Sequence, residues 1–145
     1  MLAVAQPNRE QLLENLKSAS FNEQFEVANT LMDDKVYNEA LFIWEFMLKE
    51  NPTNANLLYK TGMCHIYLND EVAALPYFEK AQYSVDRNYN PYLSTEKNAP
   101  PQMYYYLAKA SHASGKIDTA YTQYEYFLKN VKKKHEKYDL GVLGL

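Results

Sequence analysis

Apolar residues recur along the chain at the three- and four-residue spacing that places them on one face of an α-helix. Leu12, Leu13 and Leu16 form the first such face and predict a leading helix over about Arg9–Ser18. Six further helices are predicted, in three consecutive pairs. Their bounds are about Asn22–Asp33 and Tyr37–Glu50, Asn54–Asn69 and Glu71–Val85, and Pro101–Ser114 and Ile117–Lys134. We therefore expect an all-α fold.

Turn-forming residues separate these helices. Pro52 ends the first pair, because proline has no N–H to continue the helical hydrogen-bond ladder. Asn69-Asp70 supplies a turn and a helix N-cap inside the second pair. Gly115 closes the first helix of the third pair. Pro76 lies about one turn inside a helix, where a modest kink is tolerated.

The chain repeats. Four sets of similar residues share a first step of 34 positions and a second step of 46, which we interpret as 34 plus an insertion of 12. The sets are Ala28, Gly62 and Ala108; Ala40, Ala74 and Ala120; Trp44, Phe78 and Tyr124; and Val27, Thr61 and Leu107. Small residues let two antiparallel helices cross closely, and an aromatic residue four positions later fills the space between units. The predicted architecture is an α-α superhelix of about three stacked helix-turn-helix units plus the leading helix.

The predicted organisation follows from this repeat. It comprises a leading helix at 8–20 and a repeat domain at 21–138, with repeats at about 21–54, 55–88 and 101–134, an insertion loop at 89–100 and a truncated tail at 139–145. The insertion is rich in asparagine and proline, which marks it as a loop. Tyr89, Tyr92 and Leu93 suggest that it packs over an exposed edge of the second pair; a lid over a ligand is the alternative.

These repeats resemble the tetratricopeptide-repeat (TPR) family over about Phe21–Lys134. The clearest match is Leu58, Thr61, Gly62 and His65 followed by Ala74, Phe78 and Ala81, with weaker matches in Phe25 to Pro52 and in Tyr104, Leu107, Ala108, Ala120 and Tyr124. The departures are alanine for glycine in two repeats and no closing proline in the later ones. The resemblance implies a helical solenoid that binds other protein segments.

A narrower resemblance covers Asn88 to Ala120, including Glu96-Lys97-Asn98-Ala99-Pro100 and Gly115-Lys116-Ile117-Asp118. It is similar to the N-terminal region of Bacteroidetes-type exported proteins that join TPRs to a β-propeller and an OmpA-like peptidoglycan-binding domain. This implies a periplasmic, outer-membrane-associated place in the cell envelope, in part with secretion and gliding machinery. The chain contains no match to the propeller or OmpA-like domain, so peptidoglycan binding is not assigned to it.

The N-terminus also bears on whether the protein is exported. Ala3-Val4-Ala5 has the small-x-small shape of a signal-peptidase site, so residues 1–7 are interpreted as a signal-peptide remnant or, equally, as a disordered terminus. A cytoplasmic location is the alternative to export. No apolar run approaches the ~18 residues of a membrane span. The net charge of −3 disfavours nucleic-acid binding.

Candidate chemistry is sparse. The only cysteine, Cys64, lies in a helical apolar pattern and is expected to be a core residue. His65 and His112 lie on first helices, without the partners of a helical metal site, and His135 follows near the end of the chain. No phosphate-loop, dinucleotide or nucleophile-elbow motif occurs. We expect a protein that is not an enzyme and needs no cofactor or metal.

A binding groove is the remaining hypothesis, because the first helices of stacked TPR hairpins line a concave face. Helical stepping along them predicts a groove of Phe25, Asn29, Met32, Tyr59, Met63, Ile66, Tyr67, Gln102, Tyr105, Lys109 and His112. Such a surface suits a peptide or protein partner with apolar side chains. Only Asn29 fits the clamp by which some TPR proteins bind chaperone C-termini, so that ligand is not expected. Alternatively, part of this stripe packs against the leading helix or another copy of the chain.

Overall fold

A computed structural model describes residues 9–132, and within that range it is all-helical, as predicted. The helices are α1 (Arg9–Ser18), α2 (Phe21–Asp33), α3 (Tyr37–Glu50), α4 (Ala55–Tyr67), α5 (Glu71–Ala81), α6 (Met103–Ala113) and α7 (Ile117–Phe127), the last continued by a π-helical turn, Leu128–Lys132. Predictions for residues 1–7, His135 and the tail at 139–145 lie outside the described residues. From α2 onward, consecutive helices pack on one another in chain order, so α2–α3, α4–α5 and α6–α7 form three stacked hairpins.

The turn inside each hairpin is built in the same way. Lys35, Asn69 and Gly115 all adopt left-handed backbone angles, with φ of 61°, 60° and 79°. After each, a backbone N–H reaches back five residues to a carbonyl of the first helix at 2.8–2.9 Å, a helix-closing bond. These positions are separated by 34 and 46 residues, the steps of the sequence repeat. The three hairpins are therefore copies of one local structure.

Side-chain caps fix where several helices begin. At α2, the Ser20 hydroxyl accepts the Glu23 N–H at 3.1 Å, and the Glu23 carboxylate accepts the Ser20 N–H at 2.7 Å. This reciprocal capping box is a strong start signal. The Asn54 side chain caps α4 and, as expected from the sequence, the Asp70 side chain caps α5.

The small repeated residues lie at the helix crossings. Ala28, Ala108, Ala40 and Ala74 are fully buried, and Ala120 is nearly so. At Gly62 an added Cβ would lie only 2.5 Å from a ring carbon of Phe78, so the α4–α5 crossing needs a residue without a side chain. Two main cores result, one shared by α1–α4 and the other by α4–α6, with a smaller cluster of Tyr105, Phe127 and Val131.

Two repeated positions differ from their equivalents because they lie at the ends of the described stack. Thr61 and Leu107 are fully buried, whereas Val27 is 49% exposed. Within residues 9–132 no hairpin precedes α2, and α1 does not cover Val27. Tyr124 is only half-buried, whereas Trp44 and Phe78 are fully enclosed. At these two positions burial therefore depends on a neighbouring hairpin as well as on the repeat.

The second hairpin ends earlier than predicted. The sequence placed its last helix to Val85, but α5 ends at Ala81. The chain then leaves the helix and pairs with a later segment: Ala99 N–H donates to the Ser84 carbonyl at 2.8 Å, and Asp86 N–H donates to the Ala99 carbonyl at 3.0 Å. This contact closes the base of the connection between α5 and α6, residues 82–102, which we call the α5–α6 loop.

Candidate functional site

A cavity of about 440 Å³ lies where the α5–α6 loop crosses the first-helix face, the surface formed by α2, α4 and α6. The helices contribute Met32, Tyr59, Lys60, Met63 and Tyr67, and the loop contributes Arg87, Tyr89, Pro91, Pro100, Pro101 and Gln102. Its volume is typical of ligand pockets, which occupy about 300–1,000 Å³. Aromatic, methionine and proline side chains dominate the wall, and lysine and arginine are the charged residues among those named.

One backbone carbonyl joins the loop to two helices. The Pro91 carbonyl accepts a hydrogen bond from Asn29 Nδ2 at 2.9 Å and another from Lys60 Nζ at 3.0 Å. Lys60 Nζ also donates to Asn29 Oδ1 at 2.8 Å. The loop is therefore held against α2 and α4 at one point by groups that are themselves hydrogen-bonded to each other.

A second set of contacts holds the loop along α4. The Tyr89 hydroxyl donates to Asn56 Oδ1 at 2.6 Å, and the Tyr89 ring meets the Tyr59 ring edge-on at 5.9 Å between centroids. At the start of α4, the Ala55 N–H donates to the Lys97 carbonyl at 3.0 Å. The loop thus packs over the second hairpin and one wall of the cavity is made by non-repeat residues.

Lys60 is the least expected member of the site, since its side chain is only 5% exposed. Its ammonium lies 5.5 Å from the Phe25 ring centroid and 5.6 Å from that of Trp44. Burial lowers the pKa of Lys60 to about 8, although electrostatic interactions with Asp33 and, to a smaller extent, Cys64 oppose the shift. Among residues 9–132, the ion pairs found do not include Lys60. It is a buried cation whose hydrogen-bond acceptors are neutral.

The phenol groups at the site are held neutral. Burial raises the pKa of Tyr59 well above its ordinary value, against a smaller opposing effect of a side-chain hydrogen bond with Gln102. Burial likewise raises the pKa of Tyr89, and the nearby Glu96 charge adds to the shift. These tyrosines therefore offer apolar rings and neutral hydroxyls at physiological pH.

Five of the eleven residues predicted for the groove lie together in this cavity: Met32, Tyr59, Met63, Tyr67 and Gln102. Asn29 holds the loop rather than facing the open space. Ile66 packs against the second core. Lys109 pairs with Glu71 at 3.5 Å, and His112 lies in a separate depression with Ile117 and Tyr121.

The prediction was wrong for Phe25 and Tyr105, which are 0% and 6% exposed. They occupy the same repeat position as Tyr59, and in each hairpin this position faces the large aromatic residue of the second helix. The three ring pairs, Phe25 with Trp44, Tyr59 with Phe78 and Tyr105 with Tyr124, lie 5.5, 6.3 and 6.0 Å apart. This position is therefore an internal contact of the hairpin, and Tyr59 also reaches the cavity.

The described residues offer little for metal or thiol chemistry. Residues 9–132 contain no group of three or more histidine, cysteine or acidic side chains that would hold a metal ion. His65 stacks on Tyr77 at 5.4 Å between ring centroids, consistent with a packing role. Cys64 is buried, and burial raises the pKa of its thiol to about 12. Within the same range, no helix is long and apolar enough to cross a membrane.

Comparison of the chain with protein-family models, curated proteins and solved structures finds no significant match. The likeness to TPR proteins therefore depends on the repeated residues, and the site is interpreted from its own geometry. Sequence reasoning missed Lys60 and, apart from Gln102, the loop residues of the wall, although a lysine between Tyr59 and Thr61 in a largely apolar helix segment is a visible signal. Nothing in the sequence indicated that the prolines of the loop line a cavity.

Proposed function

We propose that this chain is a non-catalytic TPR-type scaffold that binds a peptide segment of a partner protein in the cavity between the first-helix face and the α5–α6 loop. The observation that carries the proposal is the convergence of two hairpins and the loop on one aromatic- and methionine-lined cavity. Methionine and tyrosine adapt to varied apolar side chains at modest entropic cost, which suits peptide recognition.

The shape of the site favours a segment that inserts one or two side chains rather than a small reactive substrate. The tyrosines there are neutral, and the Lys60 ammonium donates hydrogen bonds to Asn29 and Pro91, so these groups anchor the loop and line a binding surface. Tyr67 is 47% exposed and stacks on Tyr37 at 4.7 Å between centroids, so an aromatic pair stands at the rim. Such a rim is typical of the anchors that dominate binding energy at protein interfaces.

A display library of random peptides tests this function without a known partner. Peptides selected on the immobilised chain should lose affinity by roughly tenfold or more for Tyr67→Ala, because one exposed aromatic anchor is removed. Tyr83→Ala is the matched control, since Tyr83 is 86% exposed and lies outside the cavity lining. Equal loss in the two variants, or failure to select any peptide, would contradict the proposal.

We place the scaffold in the cell envelope, as part of an exported assembly. The small-x-small triplet Ala3-Val4-Ala5 and the likeness of Asn88 to Ala120 to exported envelope proteins support this location. The alternative is a cytoplasmic adaptor. Fractionation of cells expressing the native gene separates the two: the protein should be recovered with periplasmic or outer-membrane material, and recovery with the cytosol would overturn the assignment.

A self-associating solenoid is a second candidate, favoured by the outer face of α7. Leu75 on α5 is 5% exposed because α6 covers it, whereas Tyr121, the same repeat position on α7, is 66% exposed. Ile117 and Leu128 of this last hairpin are also exposed, at 56% and 42%. If copies stack there, sedimentation velocity should show a concentration-dependent dimer that Tyr121→Ser weakens. A monomer at all concentrations would refute this candidate.

A further inference from the structure

A second cavity, of about 320 Å³, lies between α6, α7 and the end of α5. We call it the α6–α7 pocket, and it shares no lining residue with the cavity on the first-helix face. Its lining is uncharged and consists of Gln82, Tyr104, Leu107, Thr122, Gln123 and Tyr126. We propose that the α6–α7 pocket binds a tryptophan side chain of a partner protein, a function separate from peptide binding on the first-helix face.

The corresponding surface of the second hairpin has a different chemistry. Gln123 stands 46 residues after Tyr77, which is the second step of the sequence repeat. Tyr126 has the same relation to Lys80. In the second hairpin, Tyr77 and Lys80 line a charged depression together with Glu45, whereas an amide and a phenol take these two positions in the third. The neutral pocket is therefore a property of the third hairpin rather than of the repeat.

Two tyrosine rings form the aromatic part of the pocket. Tyr104 and Tyr126 lie 4.7 Å apart between ring centroids, with their planes tilted by 58°. The Tyr104 hydroxyl donates to the Gln82 carbonyl at 3.3 Å, which fixes the position of its ring. Tyr126 is 46% exposed, so part of its ring remains open to a partner. A third ring can stack on one of these rings and meet the edge of the other, an arrangement that aromatic side chains favour.

A buried hydrogen-bond acceptor specifies the polar group of the ligand. Gln123 Oε1 is buried and has no hydrogen-bond partner within residues 9–132. An unpaired buried acceptor is unfavourable, and an N–H of the ligand would satisfy it. The hydroxyls of Tyr104 and Thr122 already donate to backbone carbonyls, at 3.3 and 3.2 Å, so neither is left to serve an acceptor of the ligand. The pocket therefore favours a ligand that donates a hydrogen bond and accepts none.

Tryptophan meets these requirements. Its indole is uncharged, presents one N–H donor and no acceptor, and carries a large apolar ring. The volume of the pocket lies near the lower end of the range for ligand sites, about 300–1,000 Å³, which suits one ring system. Trp44, the only tryptophan of the chain, is fully buried, so the side chain must come from a different protein. Tryptophan is also among the residues that dominate binding energy at protein interfaces.

Two probes that differ only in the donor test the hydrogen bond. N-acetyl-tryptophanamide contains the N–H, and N-acetyl-benzothienylalaninamide replaces it with sulfur in a ring of nearly the same shape. Titrated into the isotope-labelled full chain, both should shift amide NMR signals of α6 and α7, and the indole should bind roughly tenfold more tightly. Gln123→Met should remove this difference, because methionine keeps the length of the side chain without the amide acceptor. Gln11→Met makes the same change at an exposed position of α1 and should leave the difference intact.

The outcomes decide the proposal independently of the cavity on the first-helix face. Equal affinity of the two probes, or a preference that Gln123→Met retains, would overturn it, since the amide oxygen would not be the recognising group. Tighter binding of N-acetyl-tyrosinamide would overturn the choice of tryptophan, and no binding, or shifts confined to other helices, would overturn the site. Tyr126→Lys introduces the residue of the second hairpin and should weaken both probes roughly tenfold, because an aromatic contact is lost. Tyr67→Ala should change neither affinity, and loss of probe binding in that variant would place the probes in the first-helix cavity instead.

Discussion

The crossing of α4 and α5 at Gly62 gives a strict test of how tightly the helices of a hairpin pack. Gly62 on α4 faces Phe78 on α5, and a Cβ built on Gly62 would lie 2.5, 2.8 and 2.9 Å from three carbons of the Phe78 ring. Ordinary contacts of this kind begin at 3.4 Å, so the ring or the helix would have to move by about 0.9 Å. Phe78 is fully buried and lies 6.3 Å from the Tyr59 ring and 6.4 Å from the Tyr106 ring. The ring has little free space to move into.

Two effects of Gly62→Ala oppose each other. Alanine in place of glycine inside a helix gains about 1 kcal/mol of helix propensity. Overpacking a filled core costs about 1–3 kcal/mol, and a contact this short with a fully buried ring belongs at the upper end. The net expectation is a loss of about 2 kcal/mol in the free energy of unfolding. For a domain of this length that lowers the Tm by roughly 5–8 °C.

Thermal and urea unfolding followed by circular dichroism measure this loss, and the single tryptophan, fully buried Trp44, reports on the neighbouring hairpin. Phe78→Leu supplies the control, because a shorter side chain relieves the clash. In that background Gly62→Ala should be neutral or stabilising by about 1 kcal/mol, the helix-propensity gain alone. A rise in Tm for Gly62→Ala in the otherwise unchanged protein would show that the ring does not fill the crossing, and the reasoning would fail.

Four further outcomes are expected. Lys35→Gly should stabilise the protein by about 1 kcal/mol in thermal unfolding, because φ of 61° strains a residue with a side chain. Tyr89→Phe leaves a buried amide oxygen on α4 without its donor and should cost about 1–3 kcal/mol in urea unfolding. The Cys64 thiol, with a pKa of about 12, should react with an aromatic disulfide at pH 8 only after unfolding, and immediate reaction would contradict its burial. The folded pKa of Lys60 is about 8 against 10.5 when exposed, so its ammonium contributes a rise of roughly 1.5–2 kcal/mol to the free energy of unfolding from pH 8 to 9.5. The buried Cys64 thiol and tyrosines contribute with the opposite sign, so the measurement is the difference between the unchanged protein and Lys60→Met over this pH range, in which their contributions cancel.

The hairpin architecture was predictable from the sequence because it depends on short-range geometry repeated three times. A small residue at 28, 62 and 108 permits close crossing, and each hairpin meets the same requirement independently. A single set of small residues at this spacing could arise by chance. The same spacing in four sets predicts which helices pair and in what order the pairs follow. The turns at Lys35, Asn69 and Gly115 add a fifth set, which was hidden in the sequence because only one of the three is glycine.

The groove was predicted less well because the same repeat position is enclosed within the hairpin in two repeats and also reaches the cavity in the other. Phe25, Tyr59 and Tyr105 share a repeat position and all face the second helix of their own hairpin. Helical periodicity identifies the direction of a side chain but not what covers it. At Phe25, α1 and the first core close over the ring, and at Tyr105 the smaller cluster with Phe127 does so. Only Tyr59 also reaches the cavity.

The prediction that the α5–α6 loop packs over the second hairpin agrees with the contacts of Tyr89, whereas Tyr92 and Leu93 are 68% and 50% exposed. Its course over the first-helix face was not predicted, because nothing in the repeat specifies where an insertion folds. Its two ends meet in the Ser84–Ala99 contact, so the stacking of α6 on α5 is kept and the loop is free to fold back over the first-helix face. There Lys60, fixed on α4, gives the loop a hydrogen-bonded anchor at Pro91, and Arg87 brings a second positive charge to the same cavity. A buried lysine that only anchored a loop would be costly, since a neutral side chain donating to the same carbonyl would need no desolvated charge. The ring faces of Phe25 and Trp44, whose centroids lie 5.5 and 5.6 Å from the ammonium, offset part of this cost, so the core of the first hairpin also helps to anchor the loop.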